Sequence, residues 1–90
     1  MSQKRKSQQE ITNQIELAKQ QVEVGAIYAH YKNPDMTYMV KQIAYHTETE
    51  DLCVVYQAEY GDQITFVRPL SVWLEPAEYD GQLVPRFKKL

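Results

Sequence analysis

An alternating run at residues 52–60 constrains the fold of this chain more than any other feature. Every second residue in the run is apolar or aromatic: Leu52, Val54, Tyr56, Ala58 and Tyr60. Gln57 and Glu59 fall between them. Side chains of a strand point alternately to its two faces, whereas a helix would spread this pattern around its axis. The run therefore predicts a β-strand with one buried face and argues against a helical bundle.

Two strands are predicted before this run. Residues 26–31 have strand character, and the turn chemistry of Asn33-Pro34-Asp35 separates them from a longer strand at residues 37–46. Apolar side chains alternate on both faces of the longer strand, with Tyr38, Val40 and Ala44 on one face and Met39, Ile43 and Tyr45 on the other. We expect such a strand to be covered on both sides.

The residues after the run predict a return strand and a second hairpin. Residues 63–68 are expected to pair with the alternating strand, with Ile64 and Phe66 directed inward. Leu70–Leu74 suits a single helical turn. Asp80-Gly81 is a two-residue hairpin signal between the short strands that flank it.

The N-terminal region predicts one amphipathic helix at residues 8–21. Ser7 and Glu10 fit a capping box, in which each side chain covers a backbone amide at the helix start. Behind them a narrow apolar stripe recurs at helical spacing, formed by Ile11, Ile15, Ala18 and Val22. We expect this stripe to lie against the body of the domain, and a helix that binds a partner is the alternative.

Together these elements predict a mainly β fold of about five strands with one N-terminal helix. Residues 1–24 form the tail and helix, and residues 25–90 form a small β-barrel-like domain. A small SH3-like barrel is the first choice, because short strands of high β-propensity are joined by short turns. A twisted antiparallel sheet covered by the helix is the second.

The charge distribution argues against a nucleic-acid-binding protein. The net charge is −2, and residues 23–90 carry six basic side chains against ten acidic ones. Nucleic-acid binders usually present a basic face, because phosphate neutralisation supplies most of their non-specific affinity. The basic run Lys4-Arg5-Lys6 fits a solvated tail better. A nucleic-acid-associated module is therefore the weaker alternative.

Cysteine content and hydropathy indicate a compartment. Cys53 is the only cysteine, so the chain can form neither an internal disulfide nor a multi-cysteine metal site. The first residues lack the apolar core of a signal peptide, and no apolar stretch reaches the roughly 18 residues of a membrane span. We therefore expect a cytoplasmic protein without membrane association.

Six short motifs, in order and at fitting spacings across residues 25–89, resemble the bacterial DUF1653 family. They are Gly25-x-x-Tyr28-x-His30-Tyr31-Lys32, His46-Thr47-Glu48-Thr49-Glu50, Val54-Val55-Tyr56, Tyr60-Gly61-Asp62, Val67-Arg68-Pro69-Leu70 and Asp80-Gly81-x-x-Val84-Pro85-Arg86-Phe87. The turn at residues 33–36 is longer than the family's usual turn, and Phe66 replaces a more frequent tryptophan. The family is of unknown function, so the resemblance implies a compact domain and assigns no activity.

His30, His46 and Glu48 form the one candidate metal or acid–base set. His46 and Glu48 are two residues apart at a strand end, where their side chains share a face. Metal-ligand spacings such as HExxH are missing, so we expect His46 to satisfy backbone groups of the acidic turn. Cys53 lies next to acidic residues that would raise the pKa of its thiol. Neither a catalytic residue, a metal nor a cofactor is indicated, and an enzyme is the alternative rather than the first hypothesis.

Arginines and aromatic residues point instead to binding. Arg68 and Arg86 each adjoin a proline at a strand end, where a guanidinium can pair with a carboxylate such as Glu48 or Glu75, or bind an anionic ligand. We expect Arg68 to form a buried pair and Arg86 to be more exposed. The candidate ligand-binding residues are Tyr28, His30, Tyr31, His46, Glu48, Arg68, Arg86 and Phe87. The function expected is a non-catalytic binding or accessory module for a protein segment or a small polar ligand.

Overall fold

The structure, a computed structural model, describes residues 6–90. Its elements in chain order are α1 (Gln8–Lys19), β1 (Ile27–His30), β2 (Thr37–His46), β3 (Asp51–Ala58), β4 (Thr65–Pro69), α2 (Leu70–Leu74), β5 (Ala77–Tyr79), β6 (Gln82–Val84) and β7 (Phe87–Lys89). Neither of the two helices is long and apolar enough to cross a membrane. Because most of these elements are strands, the chain is mainly β, as predicted.

Five strands form one antiparallel sheet in the order β4-β3-β2-β1-β7. The two remaining strands, β5 and β6, form a separate hairpin. Because β4 and β7 are both edges, the sheet of the described residues does not close into a barrel. Of the two predicted architectures, the twisted antiparallel sheet with one helix is the one observed.

Strand β3 confirms the alternating pattern. Val54, Tyr56 and Ala58 are buried and Leu52 is half-buried, all on the face that carries the core. The strand ends at Ala58, so the predicted continuation to Tyr60 is wrong, and Tyr60 lies in the following turn. Local strand geometry is sufficient to set these directions, because the period of two holds wherever the backbone is extended.

Strand β2 departs from its predicted alternation. Val40 and Ile43 were expected on opposite faces, but both are buried in the same core cluster. The register with β3 shifts between Val40 and Gln42, which inserts one extra residue, Lys41, as a bulge. A bulge reverses the side-chain alternation beyond it, so Ile43 rejoins the core face and Lys41 is exposed.

Strand β4 corrects a second expectation. It pairs with β3 on one side only, and Ile64 and Phe66 are largely exposed rather than directed into the core. The reason is their position at an edge, where the core of the sheet ends. Phe66 still contacts the ring of Tyr56, at a centroid distance of 5.7 Å.

Helix α1 begins and packs as its sequence predicts. The Ser7 hydroxyl accepts from the Glu10 backbone amide at 3.1 Å, and the Glu10 carboxylate accepts from the Ser7 amide at 2.9 Å. Ala18 and Val22 are buried in the core, and Ile15 packs against it. The stripe therefore lies on the chain's own sheet, and the helix ends at Lys19, two residues before the predicted end.

The expected solvated tail is only partly described. Lys4 and Arg5 lie outside the described residues. The Lys6 ammonium donates to the side chain of Gln14 and to the backbone carbonyl of Glu50, each at 3.2 Å. Lys6 is thus tied to the body of the domain, contrary to the prediction for a solvated tail.

The C-terminal third closes the core. Trp73 of α2 is buried and stacks on Phe87 of β7, with ring centroids 3.8 Å apart. The β5–β6 hairpin turns at Asp80 and Gly81, whose φ angles of 56° and 79° require the left-handed conformation that this residue pair favours. Strand β7 pairs with β1 and was not predicted.

Candidate anion-binding site

Side chains from opposite edges of the five-stranded sheet meet over its concave face. Five strands laid flat would place β4 and β7 about 19 Å apart, at about 4.8 Å per strand. The guanidinium carbon of Arg68 on β4 nevertheless lies 5.3 Å from the ring centroid of Phe87 on β7. The sheet is therefore curved, and this curl brings together five residues that we call the cationic cluster: His30, Tyr31, Arg68, Arg86 and Phe87.

Arg68 is the central cation of this cluster. Its Nε donates to the Tyr56 hydroxyl at 3.1 Å, and its guanidinium carbon lies over the Phe87 ring. Within residues 6–90 it makes no salt bridge, so the predicted buried pair with a carboxylate is wrong. A half-buried guanidinium held by an aromatic ring and a hydroxyl keeps its two Nη groups available to an anion.

His30 adds a neutral donor next to Arg68. Its ring packs edge-on against Phe87, with centroids 5.3 Å apart, and its Nδ1 accepts from the Lys32 backbone amide at 3.2 Å. Burial, followed by the positive charges of Arg68, Arg86 and Lys32, lowers the pKa of His30. Since Nδ1 is an acceptor, the proton of the neutral ring is assigned to Nε2, which can donate to a ligand.

Arg86, rather than Arg68, forms an ion pair with Glu75. Its Nη2 lies 3.3 Å from Glu75 Oε1, and its Nε donates to the Glu75 carbonyl at 3.3 Å. The guanidinium carbon also lies 5.9 Å from the Tyr31 ring centroid. Glu75 was named as a candidate partner, and it neutralises Arg86 while leaving Arg68 unpaired among the described residues.

Three tyrosines extend the cluster across the concave face. The hydroxyls of Tyr38 and Tyr60 are 2.6 Å apart, and the Tyr38 ring packs edge-on against that of Tyr56 at 5.4 Å. Burial and the hydrogen bond with Tyr60 raise the pKa of Tyr38 to about 12, although Arg68 acts to lower it. The tyrosine hydroxyls near Arg68 can donate hydrogen bonds to a ligand.

An apolar cavity of about 360 Å³ adjoins the cationic cluster at His30 and Tyr31. Its other lining residues are Ala29, Pro34, Tyr79, Val84, Pro85 and Lys88. The rings of Tyr31 and Tyr79 pack edge-on with centroids 6.0 Å apart. The cavity is large enough for an aromatic ring or a short apolar chain, and Lys88 and His30 supply polar groups at its wall.

Three of the predicted ligand-binding residues lie elsewhere. Tyr28 is buried in the core against Trp73, and its hydroxyl accepts from the Glu23 amide at 2.9 Å. His46 is the last residue of β2 and Glu48 is in the turn that follows, where His46 Nδ1 accepts from the Glu48 and Thr49 amides at 3.2 Å each. His46 therefore satisfies the backbone of the acidic turn, as expected.

The same geometry separates the candidate metal set. The His30 amide donates to the Met36 carbonyl, just before β2, whereas His46 is the last of the ten residues of β2. At about 3.3 Å per residue the two histidines are about 30 Å apart. No group of three potential metal ligands occurs in the part of the chain that the structure describes. His30, His46 and Glu48 therefore cannot hold one ion together.

The lone cysteine is outside the cluster. Cys53 is a buried free thiol on β3, and burial followed by the charge of Asp51 raises its pKa. The direction of this shift is the predicted one, and it suppresses the thiolate that nucleophilic chemistry needs.

Sequence reasoning missed Tyr38 and Tyr60 as members of the site. The sequence placed both only on the faces of predicted strands. Their meeting depends on the pairing of Tyr38 with Ala58, which sets the turn carrying Tyr60 beside the start of β2. One signal was available, because Tyr60 continues the period of Tyr56 just beyond the end of β3.

The fold and the cluster define a small open-sheet β domain with a cationic, aromatic concave face. Residues 26–89 match the family described as "Protein of unknown function (DUF1653)". The chain belongs to the DUF1653 family. The resemblance seen in the sequence is thereby confirmed.

A solved structure supports the same assignment. The crystal structure of a DUF1653 protein from Bordetella bronchiseptica is 28% identical and superposes with a TM-score of 0.66. The alignment covers 78% of this chain and 90% of the other. No protein of curated function matches the chain. The comparisons thus support the fold and the family and assign no activity.

Proposed function

We propose that this domain is a non-catalytic binding module that holds an anionic group, a carboxylate or a phosphate, at the cationic cluster. The observation that carries the proposal is the guanidinium of Arg68, which has no carboxylate partner within residues 6–90. Residues 23–90 contain ten acidic side chains, so the chain has many carboxylates that could have paired with Arg68. An arginine that is held in place yet left unpaired fits recognition better than stability.

The neighbouring groups favour an oxyanion over a neutral ligand. His30 presents a neutral N–H donor beside Arg68, and the three tyrosines supply hydroxyls. Arg86 contributes a weaker field, because Glu75 already pairs with it. A ligand with one or two negative charges would therefore meet donors from several strands at once.

The adjoining cavity indicates the rest of the ligand. Its apolar walls at Tyr31, Val84 and Pro85 suit a ring or a short aliphatic group attached to the oxyanion. A metal-dependent enzyme is not carried forward, because His30 at the end of β1 lies far from His46 and Glu48 at the end of β2.

Ligand titration monitored by amide chemical shifts tests the proposal. The probes are phenyl phosphate, benzoate, inorganic phosphate and neutral benzyl alcohol. We expect the two aromatic anions to shift amides of β1, β4 and β7 and to bind more tightly than phosphate or benzyl alcohol. Arg68→Gln should weaken this binding about tenfold or more, because a hydrogen bond to a charged group contributes about 1.5–3 kcal/mol.

Lys19→Gln is the matched control. Lys19 is an exposed cation at the end of α1, paired with Glu16, so its loss changes the net charge equally without touching the cluster. Equal weakening by the two substitutions, or shifts that do not involve β1, β4 and β7, would refute the proposal.

A further inference from the structure

The two edges of the five-stranded sheet are protected very differently. Edge strand β7 carries Lys88 and Lys89, the kind of charged residue that discourages pairing with another strand. Edge strand β4 begins with Thr65, Phe66 and Val67 and is preceded by Ile64. Its protective residues, Arg68 and Pro69, occur only at its end.

The apolar residues at the β4 edge are exposed to solvent. The exposed fractions are 54% for Ile64, 38% for Phe66 and 63% for Val67. Three such residues in four positions on an edge strand form a template for another strand.

The backbone register identifies which groups of β4 are available. The Ala58 amide donates to the Ile64 carbonyl at 3.0 Å, which places these two residues at a hydrogen-bonded position of the ladder. Hydrogen-bonded and non-bonded pairs alternate in an antiparallel ladder, which places Phe66 and Arg68 in bonded pairs with Tyr56 and Val54. The amide and carbonyl groups of Thr65 and Val67 therefore point outward, and among residues 6–90 they have no backbone partner.

We propose that β4 is a self-pairing edge, through which two copies of this chain join antiparallel about a two-fold axis at Phe66. In this register Thr65 of one copy is opposite Val67 of the other, and each pair exchanges two hydrogen bonds. The four outward groups of Thr65 and Val67 are then satisfied in each strand, and two five-stranded sheets become one ten-stranded sheet.

The side chains favour a second copy as the occupant. Each Thr65 meets a Val67 across the new ladder, and the two Phe66 rings meet on the opposite face. Cross-strand β-branched and aromatic pairs of this kind stabilise antiparallel pairing. The strand is complementary to itself under two-fold symmetry, which is the requirement for a closed dimer. The buried area is confined to one short edge, so the dimer belongs to the weak, transient class.

Sedimentation velocity over about 10 µM to 1 mM protein tests the association. We expect wild-type protein to shift from monomer to dimer over this range. Val67→Lys should raise the dissociation constant at least tenfold, because a charge then faces the partner's apolar edge. The control is Leu83→Lys on β6, which is 74% exposed and lies outside the sheet.

Amide hydrogen exchange at the two concentrations supplies an independent readout. The amides of Phe66 and Arg68 should be protected at both, because they bond to β3, whereas those of Thr65 and Val67 should slow only in the dimer. Wild-type protein that stays monomeric at 1 mM, with Thr65 and Val67 exchanging freely, would overturn the proposal and leave the edge to a strand of another protein. Equal loss of the dimer in Leu83→Lys would also overturn it.

Discussion

Replacing Arg68 with alanine is expected to lower the free energy of unfolding by about 1–2.5 kcal/mol. The structure identifies two lost contacts, the hydrogen bond from Nε to the Tyr56 hydroxyl and the cation–π contact with the Phe87 ring. A net hydrogen bond contributes about 0.5–1.5 kcal/mol, and an exposed cation–π contact about 0.5–1 kcal/mol. A buried ion pair would raise the loss to about 3–5 kcal/mol, but the described residues offer Arg68 no carboxylate partner.

Urea denaturation is the appropriate measurement, because the midpoint reports stability when the m-value is unchanged. Arg86→Ala serves as comparison and should cost no more than about 1 kcal/mol, since its ion pair and its hydrogen bonds with Glu75 are solvent-exposed, whereas the Arg68–Tyr56 bond is partly buried. Arg68 should therefore remain the more costly of the two substitutions, as the sequence predicted, although by a smaller margin.

A double-mutant cycle separates the two contacts of Arg68. Tyr56→Phe removes the hydroxyl acceptor and preserves the ring. The double mutant should therefore lose less stability than the sum of the two single mutants, by about the energy of one hydrogen bond. A loss of 3 kcal/mol or more for Arg68→Ala would show that a carboxylate had been left unpaired. Equal midpoints for the two arginine variants would also refute this reasoning.

Three further predictions follow from the titratable groups. The pKa of His30 is lowered in the folded state. The stability that neutral His30 contributes is therefore present above the unfolded pKa near 6.5 and is lost as pH falls through the folded pKa. His30→Gln should flatten the dependence of stability on pH between about pH 7 and 5, and an unchanged slope would contradict this. Tyr60→Phe should lower the pKa of Tyr38 from about 12 towards 10, measured by ultraviolet titration, because it removes the hydrogen bond that helps to raise it; an unchanged Tyr38 transition would show that burial alone is responsible. Zinc should leave the melting temperature unchanged, because His30 on β1 lies beside the start of β2, whereas His46 is at its other end; a rise abolished by His46→Ala would mean that a metal site exists.

The sequence was sufficient where the structure depends on local geometry. The period of two at Leu52, Val54, Tyr56 and Ala58 defines a strand face without reference to any partner. The capping box at Ser7 likewise involves residues three positions apart. Asp80-Gly81 adopts two left-handed conformations because these residue types tolerate them. In each case the physical cause lies within a few residues of chain.

Tertiary structure decided everything that depends on register and curl. The bulge at Lys41 exists only relative to β3, and it moves Ile43 to the core face against the local alternation. Strand β7 has only three residues, too few to show a periodic pattern. It forms because it pairs with the outer edge of β1.

The site combines both sources of information. Arg68 and Arg86 were singled out by residue type and by their positions at strand ends, and His30 as a member of the candidate metal set. Which arginine meets Glu75 and which meets Phe87 could not be read from spacing, because β4 and β7 are separated by nearly 20 residues and by three intervening strands. The curl of the sheet brings these edges together, and curl is a collective result of strand pairing and core packing rather than of any local pattern.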